Sequence, residues 1–329
     1  MKIVAFGEVM MRLTPPEYKL LEQSSQLDMS FTGTGLNILS GLSHFGYYTS
    51  LLTRLPKNHI GKVAAGQIRK LGVQDSNIQF GDQHMGVYFL EMGYGVRPSE
   101  VTYMDRSNSA FGKSTLSDYD IEKIVDEYNI IHICGITLSL SKSVKEVAIK
   151  LAQVGKEKGK IICFDFNYRP SLNKNINKEE IKNAYKQILP HCSIVIGGER
   201  DLLELLNYPV DLFQNLALQF VKEFDLDFFA GTNRGSSEHS QTISGFVVHN
   251  EEYVVTTEHS LNVYDRIGTG DAFVTGLLTG IIEQWADKKI IEFAVASSVL
   301  AHTMFGDSFI IDKSMVDSYL EGNQMNVIR

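Results

Sequence analysis

Val263-Tyr-Asp-Arg-Ile-Gly-Thr-Gly-Asp-Ala-Phe273 crowds Asp265, Gly268, Gly270 and Asp271 into seven residues. The segment it opens, 272–285, carries Phe273, Leu277, Leu278, Ile281, Ile282 and Trp285 at helical spacing. Glycines just before a helix let the backbone approach a ligand closely. The N–H groups of the first helical turn have no partner inside the helix and then point at that ligand. With the helix dipole added, the stretch reads as an anion site. A carboxylate there would repel a bound anion, so Asp271 has two explanations. It caps the helix, or it takes a proton from a hydroxyl while the N–H groups hold a phosphoryl group in transfer. The local pattern leaves both open.

Outward from this stretch the chain alternates. Apolar runs of strand type lie at 2–7, 50–53, 130–134, 160–166, 193–196 and 227–230. Helical spacing marks 37–45, 62–71, 118–128, 143–158, 178–188, 200–206 and 212–224. Between about 129 and 232 the order strand, helix, strand, helix predicts βαβ units, hence a doubly wound parallel sheet with helices on both faces. Residues 86–94 and 100–106 break the pattern and read as a hairpin joined near 95–98. With 11–15 and 27–32 they predict a small separate sheet, inserted within about 9–33 and 86–107 of one domain spanning 1–329.

In open α/β sheets ligands lie beyond the carboxyl ends of the strands. Four predicted strands end in glycine or polar residues there: Gly135-Ile-Thr137, Asp165-Phe-Asn167-Tyr-Arg169-Pro170, Gly197-Gly-Glu199-Arg-Asp201 and Gly231-Thr-Asn-Arg234-Gly235. In an extended chain Asp165, Asn167 and Arg169 share one side, and Pro170 ends the strand, which makes a substrate rim.

Composition removes several classes. A net charge of −8, with no basic run, argues against nucleic acid as partner. No apolar run reaches membrane-spanning length and no signal-peptide layout opens the sequence, so the expected place is the cytoplasm. Cys134, Cys163 and Cys192 are an odd number, widely spaced, and read as buried apolar fillers. The nine histidines show no metal spacing, and His302 reads as a core or surface residue. Gly112-Lys-Ser-Thr115 imitates the tail of a P-loop, but Ser107 stands where the first glycine is required and no strand precedes it. Neither a dinucleotide fingerprint nor a hydrolase elbow is present.

Asp265-Arg-Ile-Gly-Thr-Gly-Asp271 resembles the D-T-x-G-A-G-D signature of the ribokinase-like (PfkB) carbohydrate kinases. Gly7-Glu8, Gly33-Thr-Gly-Leu-Asn37, Leu55-Pro-Lys-Asn58 with Gly61, and Leu71-Gly-Val73 recur in that family at this spacing, so the resemblance covers nearly the whole chain. Within the family the chain is most similar to the 2-keto-3-deoxygluconate kinases, through Asp165-Phe-Asn-Tyr-Arg-Pro170, Tyr103 with Asp105-Arg106, and His302-Thr-Met-Phe-Gly-Asp307. The resemblance implies a three-layer α/β sandwich with a β-sheet lid, and ATP- and Mg2+-dependent phosphorylation of a sugar hydroxyl. It implies Asp271 as base and the backbone of Gly268, Thr269 and Gly270 as anion hole. Gly33, Asn37, Tyr88, Arg106, Arg169 and Asp307 would face the sugar acid, with Thr232, Arg234 and Gly235 beside the nucleotide. The family's N-x-x-E aligns with Gly198-Glu-Arg-Asp201, so Glu199 is expected near the metal's water shell.

Three functions compete: a kinase for 2-keto-3-deoxygluconate, a kinase for a neutral sugar, and a sugar- or nucleotide-binding regulator. Two guanidinium groups, Arg106 and Arg169, in a closing pocket call for an anion, and a carboxylate on the sugar is expected to supply it. A lid with an apolar outer face is expected to pair with a second copy of the chain.

Overall fold

The computed structural model describes residues 1–169, 177–236 and 241–322. Its centre is β1 (Lys2–Phe6), where Ile3, Val4, Ala5 and Phe6 are all buried. Side chains alternate across a strand, so Ile3 and Ala5 enter one apolar cluster while Val4 and Phe6 enter another on the opposite face. A strand buried on both faces needs helices above and below it. Each fully buried aliphatic or aromatic side chain contributes about 1.5–3 kcal/mol to holding the layers together.

From β1 the chain passes to β2 (Met10–Thr14), β3 (Asp28–Thr32), α1 (Thr34–His44), β4 (Tyr48–Pro56), α2 (His59–Lys70), β5 (Ile78–Gly81), β6 (Gly86–Glu91) and β7 (Glu100–Tyr103). Next come α3 (Ile121–Glu127), β8 (Ile130–Cys134), α4 (Lys142–Glu157), β9 (Ile161–Asp165), α5 (Lys178–Ile188), β10 (Ile194–Ile196), α6 (Phe213–Phe224) and β11 (Phe228–Ser236). The rest is β12 (Gln241–His249), β13 (Glu252–Val255), β14 (His259–Ser260), α7 (Thr269–Ile282), α8 (Asp287–Ala301) and α9 (Lys313–Leu320).

The main sheet runs β13-β12-β11-β10-β9-β8-β1-β4-β5, parallel from β11 to β5 and antiparallel among β11, β12 and β13. One face carries the apolar sides of α3, α4, α5 and α6, the other those of α1, α2, α7 and α8. The chain leaves β1 for β4 on one side and returns through β8 on the other. The crevice at the carboxyl ends of these strands is therefore a topological switch point, where such sheets take ligands. Four further strands, in the order β3-β2-β6-β7, form the separate small sheet.

Three expectations change. The segment after 230 is not a rim but a continuation of β11, because β12 pairs with it as far as Ser236. Asp165, Asn167 and Arg169 do not alternate along an extended chain: Asn167 has φ 38°, and its N–H turns back onto Asp165 Oδ1 at 3.1 Å. Pro170, expected to end that strand, lies outside the described residues. The helix expected at 200–206 is a single π-type turn, Asp201–Leu205, closed by Leu206 N–H on the Asp201 carbonyl.

α7 and α8 pack closely because Gly276 lets them touch. A methyl group there would lie 2.7 Å from Ala294 Cα and 3.0 Å from the Phe293 carbonyl oxygen, both backbone atoms. Alanine normally gains about 1 kcal/mol over glycine within a helix. At this position overpacking of about 1–3 kcal/mol outweighs it. Gly276→Ala is expected to lower the urea midpoint, with a net loss of about 1 kcal/mol; a midpoint at or above wild type would show that the helices separate freely.

Candidate active site

The turn into α7 is made by Gly268, at φ 79°, whose α-carbon rests on the carbonyl oxygen of Asp307: a Cβ would lie 1.9 Å from it. Any other residue would push these two loops apart. Thr269 and Gly270 form the first helical turn, and a Cβ at Gly270 would meet open space. The loop is tied internally, with Ile267 N–H donating to Asp265 Oδ1 at 3.0 Å and Thr269 Oγ1 to the Arg266 carbonyl at 3.0 Å. The first-turn N–H groups have no partner within the helix, an arrangement that suits an anion.

Asp271 sits in that turn and is buried. Asn37, from α1, donates through Nδ2 to Asp271 Oδ2 at 2.7 Å. Burial pushes Asp271 up to about 8, the Asp165 and Asp307 charges add to this, and the Asn37 bond and the Arg169 charge oppose it. A carboxyl tuned to this range suits a general base near neutral pH, since it is basic enough to accept a proton and acidic enough to ionise.

One side of Asp271 is cationic. Arg234, on β11, donates through Nη2 to Thr269 Oγ1 at 3.2 Å, and Arg266 donates to the Gln241 amide oxygen. Burial, then the charge of Arg266, lowers Arg234 from its ordinary value. Two guanidinium groups felt by one another beside an anion cradle suit a polyphosphate. Thr232 and Gly235 flank Arg234 on the same strand.

Another side is acidic. Burial, then the charge of Asp201, raises Asp165 to about 7, and burial raises Asp201 to about 6 against the Gly198 N–H that bonds it at 2.9 Å. Glu199, expected near a metal, is exposed, and its charge is felt by Tyr253. Asp165 and Asp201 are half-buried carboxylates in that part of the cleft. Among the described residues no cluster of three or more His, Cys, Asp or Glu forms a metal cage. A pair of carboxylates fits a hydrated Mg2+ held mainly by phosphate oxygens.

On the third side the expected sugar residues divide. Asp307 Oδ2 accepts from Tyr88 OH at 2.6 Å and Thr32 Oγ1 at 2.7 Å, and Arg12 donates to Oδ1. Gly33 precedes α1, packed on the Glu8 carbonyl, and Asn37 closes onto Asp271. Arg169 donates through Nε to Asn167 Oδ1 at 2.9 Å, and its charge reaches both Asp165 and Asp271. Arg106 corrects the expectation of two guanidiniums awaiting an anion. Its Nε and Nη2 both donate to Glu8 Oε2, at 2.9 and 2.7 Å, so the protein supplies its counter-ion.

The family model for pfkB family carbohydrate kinases matches residues 1–313. This chain is a PfkB-family carbohydrate kinase. It is 42% identical to an Enterococcus faecalis protein proposed to be a 2-keto-3-deoxygluconate kinase, with TM-score 0.96 and coverage of 100% of this chain and 99% of the other. It is 32% identical to the 2-dehydro-3-deoxygluconokinase of Thermotoga maritima, with TM-score 0.92 over 98% and 100% of the two chains. It is 28% identical to the 2-dehydro-3-deoxygalactonokinase of Haloferax volcanii, over 100% and 99%. In this kinase the sequence reading missed Arg12, Arg266 and the Glu8 partner of Arg106. Arg12 did carry a signal: it is the one charged residue of Met10–Thr14.

Replacing Asp271 separates the two readings of the α7 turn. Asp271→Asn is expected to lower kcat by about two to four orders of magnitude and to remove the rise of kcat/KM with pH through about 8. The folded protein holds this carboxyl far above its value of 3.8 when unfolded. The stability of its neutral form is therefore full below about pH 4 and is lost as pH rises towards 8. Asparagine does not ionise, so the Tm excess of Asp271→Asn should grow from pH 4 to 8 and level off above. Near wild-type turnover in a folded variant would leave Asp271 a mere cap.

Proposed function

We propose that the kinase transfers the γ-phosphoryl group of ATP to a hydroxyl of a sugar acid, with 2-keto-3-deoxygluconate as substrate and its 6-phosphate as product. The observation that carries this is Asp271: a buried carboxyl raised to about 8, bonded to Asn37, in the first turn of an anion-binding helix. The names of the Enterococcus and Thermotoga proteins support the substrate class, and so does the Arg169 charge felt at Asp271.

In this reading the sugar hydroxyl gives its proton to Asp271 as its oxygen bonds to the γ-phosphorus. The bond from phosphorus to the bridging oxygen breaks, and its electron pair leaves with ADP. The backbone of Gly268, Thr269 and Gly270 receives the charge that spreads over the transferred oxygens, and Arg234 and Arg266 hold the phosphate chain. Asp165 and Asp201 would hold Mg2+, which would supply neutralisation of the phosphate charge. Thr232 and Gly235 border the nucleotide. Gly33, Asn37, Tyr88 and Asp307 meet the sugar's hydroxyls, while Arg169 meets its carboxylate.

The small sheet acts as lid in this scheme. Met29 on β3 and Met104 after β7 are 49% and 54% exposed, and a second copy of the chain is the expected cover; sedimentation at micromolar concentration should show a dimer. A coupled ATP-turnover comparison tests the substrate. Arg169→Ala should raise the KM for 2-keto-3-deoxygluconate by the equivalent of about 2 kcal/mol, the low end for a charge pair, because this side chain is exposed. The KM for ATP should barely move. Equal kcat/KM for fructose or ribose, or an unchanged sugar-acid KM in Arg169→Ala, would remove the carboxylate from the scheme.

A further inference from the structure

Arg12 is 2% exposed, although it belongs to a strand of the small sheet and not to the main one. Each part of its guanidinium has a partner. Nε donates to Thr14 Oγ1 at 2.9 Å, Nη1 to Asp307 Oδ1, and Nη2 lies 3.5 Å from Asp265 Oδ2. Its carbon stands 5.6 Å from the centre of the Phe305 ring.

The two aspartates bracket the catalytic turn. Asp265 opens it: Oδ1 takes the Ile267 N–H, and Oδ2 takes the Gly306 N–H at 3.4 Å. Asp307 closes it from the other side, its carbonyl oxygen seated against Gly268. The Asp307 carboxylate also orders the sugar side, through Tyr88 and Thr32. The Thr32 hydroxyl has one proton for two acceptors, Asp307 Oδ2 at 2.7 Å and Asn37 Oδ1 at 3.1 Å. The charged and nearer one takes it. Asn37 Oδ1 then accepts from Ser308 Oγ at 3.3 Å, the residue after Asp307, and its amide nitrogen is left facing Asp271.

One guanidinium carried by the lid thus bonds the acid that shapes the phosphate side and the acid that shapes the sugar side. We infer that Arg12 is a positioning residue that makes seating of the small sheet and assembly of the anion cradle a single event. When the sheet lifts, Arg12 leaves with it, and two negative charges remain together without their shared cation. The loops that Gly268 holds in contact then repel. ATP meets a formed cradle when the sugar side is closed. Lysine cannot replace this fork, because its ammonium is one point charge and cannot span Thr14, Asp307 and Asp265 as three separate nitrogens do.

The inference rests on the kinase reading above, and the experiment separates the two. The affinity of a non-hydrolysable ATP analogue is measured by calorimetry with and without 2-keto-3-deoxygluconate, alongside steady-state turnover. In wild type the sugar acid should tighten the analogue at least about fivefold, within the usual span of coupled sites. In Arg12→Lys that tightening should fall below about twofold and kcat should drop at least about tenfold. The analogue's affinity without sugar should stay within about twofold of wild type, which a general loss of structure would not allow. No coupling in wild type, or coupling and kcat retained in Arg12→Lys, overturns the inference. If Arg12→Lys does not fold, Asp265→Asn decides. It keeps the Arg12–Asp307 pair and cuts the phosphate-side arm, so lost coupling supports the inference and retained coupling overturns it. A wild-type chain that phosphorylates a neutral sugar and no sugar acid defeats the substrate reading alone, and the coupling is then measured with that sugar.

Discussion

The site depends on keeping carboxyl groups out of water. Asp271, Asp165 and Asp201 are pushed up to about 8, 7 and 6, with burial the largest cause in each. Before any ligand arrives, the protein thus holds groups whose ionisation it disfavours. That arrangement is unfavourable for folding and favourable for a kinase, whose substrates bring the compensating cations and the proton to be taken. The apolar layers above and below β1 are what make it tolerable.

The arginines divide the cleft by what they already hold. Arg12 and Arg106 are bonded to protein carboxylates, Asp307 with Asp265 and Glu8 respectively, and so belong to the architecture. Arg234 and Arg266 bond neutral oxygens of Thr269 and Gln241, and so keep their charge for a ligand. An overall charge of −8 conceals this. Beside the turn into α7 the surface is thus locally cationic in an acidic protein, and such a field favours an anion at that one place.

Much of this was legible because local patterns carried it. The apolar runs of β1, β8, β9 and β10, and the glycines before α7, follow from burial on two faces and from close backbone approach. What was missed lacked a local signal. From Phe293 to Val299 α8 is buried on every side, so it offers no amphipathic stripe to read. The β12–β13 hairpin turns on Asn250 and Glu251, both at positive φ, and glutamate is a poor advertisement for such a turn. Glu8 and Arg106 are a contact between distant parts of the chain. Arg12 was passed over because alternation along a strand normally puts the charged residue outside. In Met10–Thr14 the polar residues Arg12 and Thr14 are the buried ones, because that face of the strand looks into a polar site and not an oily core.

The small sheet is threaded. β2 and β6 run parallel, with Met10 opposite Gly86, and between them the chain visits the main sheet through β4 and β5. Two neighbouring strands of one sheet therefore cannot meet until α1, β4, α2 and β5 have been laid down, since closing so long a loop is rewarded only once its contents have folded. The small sheet therefore closes only after that part of the main sheet has been laid down. Its place in the folding order is inherited from the way the chain is wound.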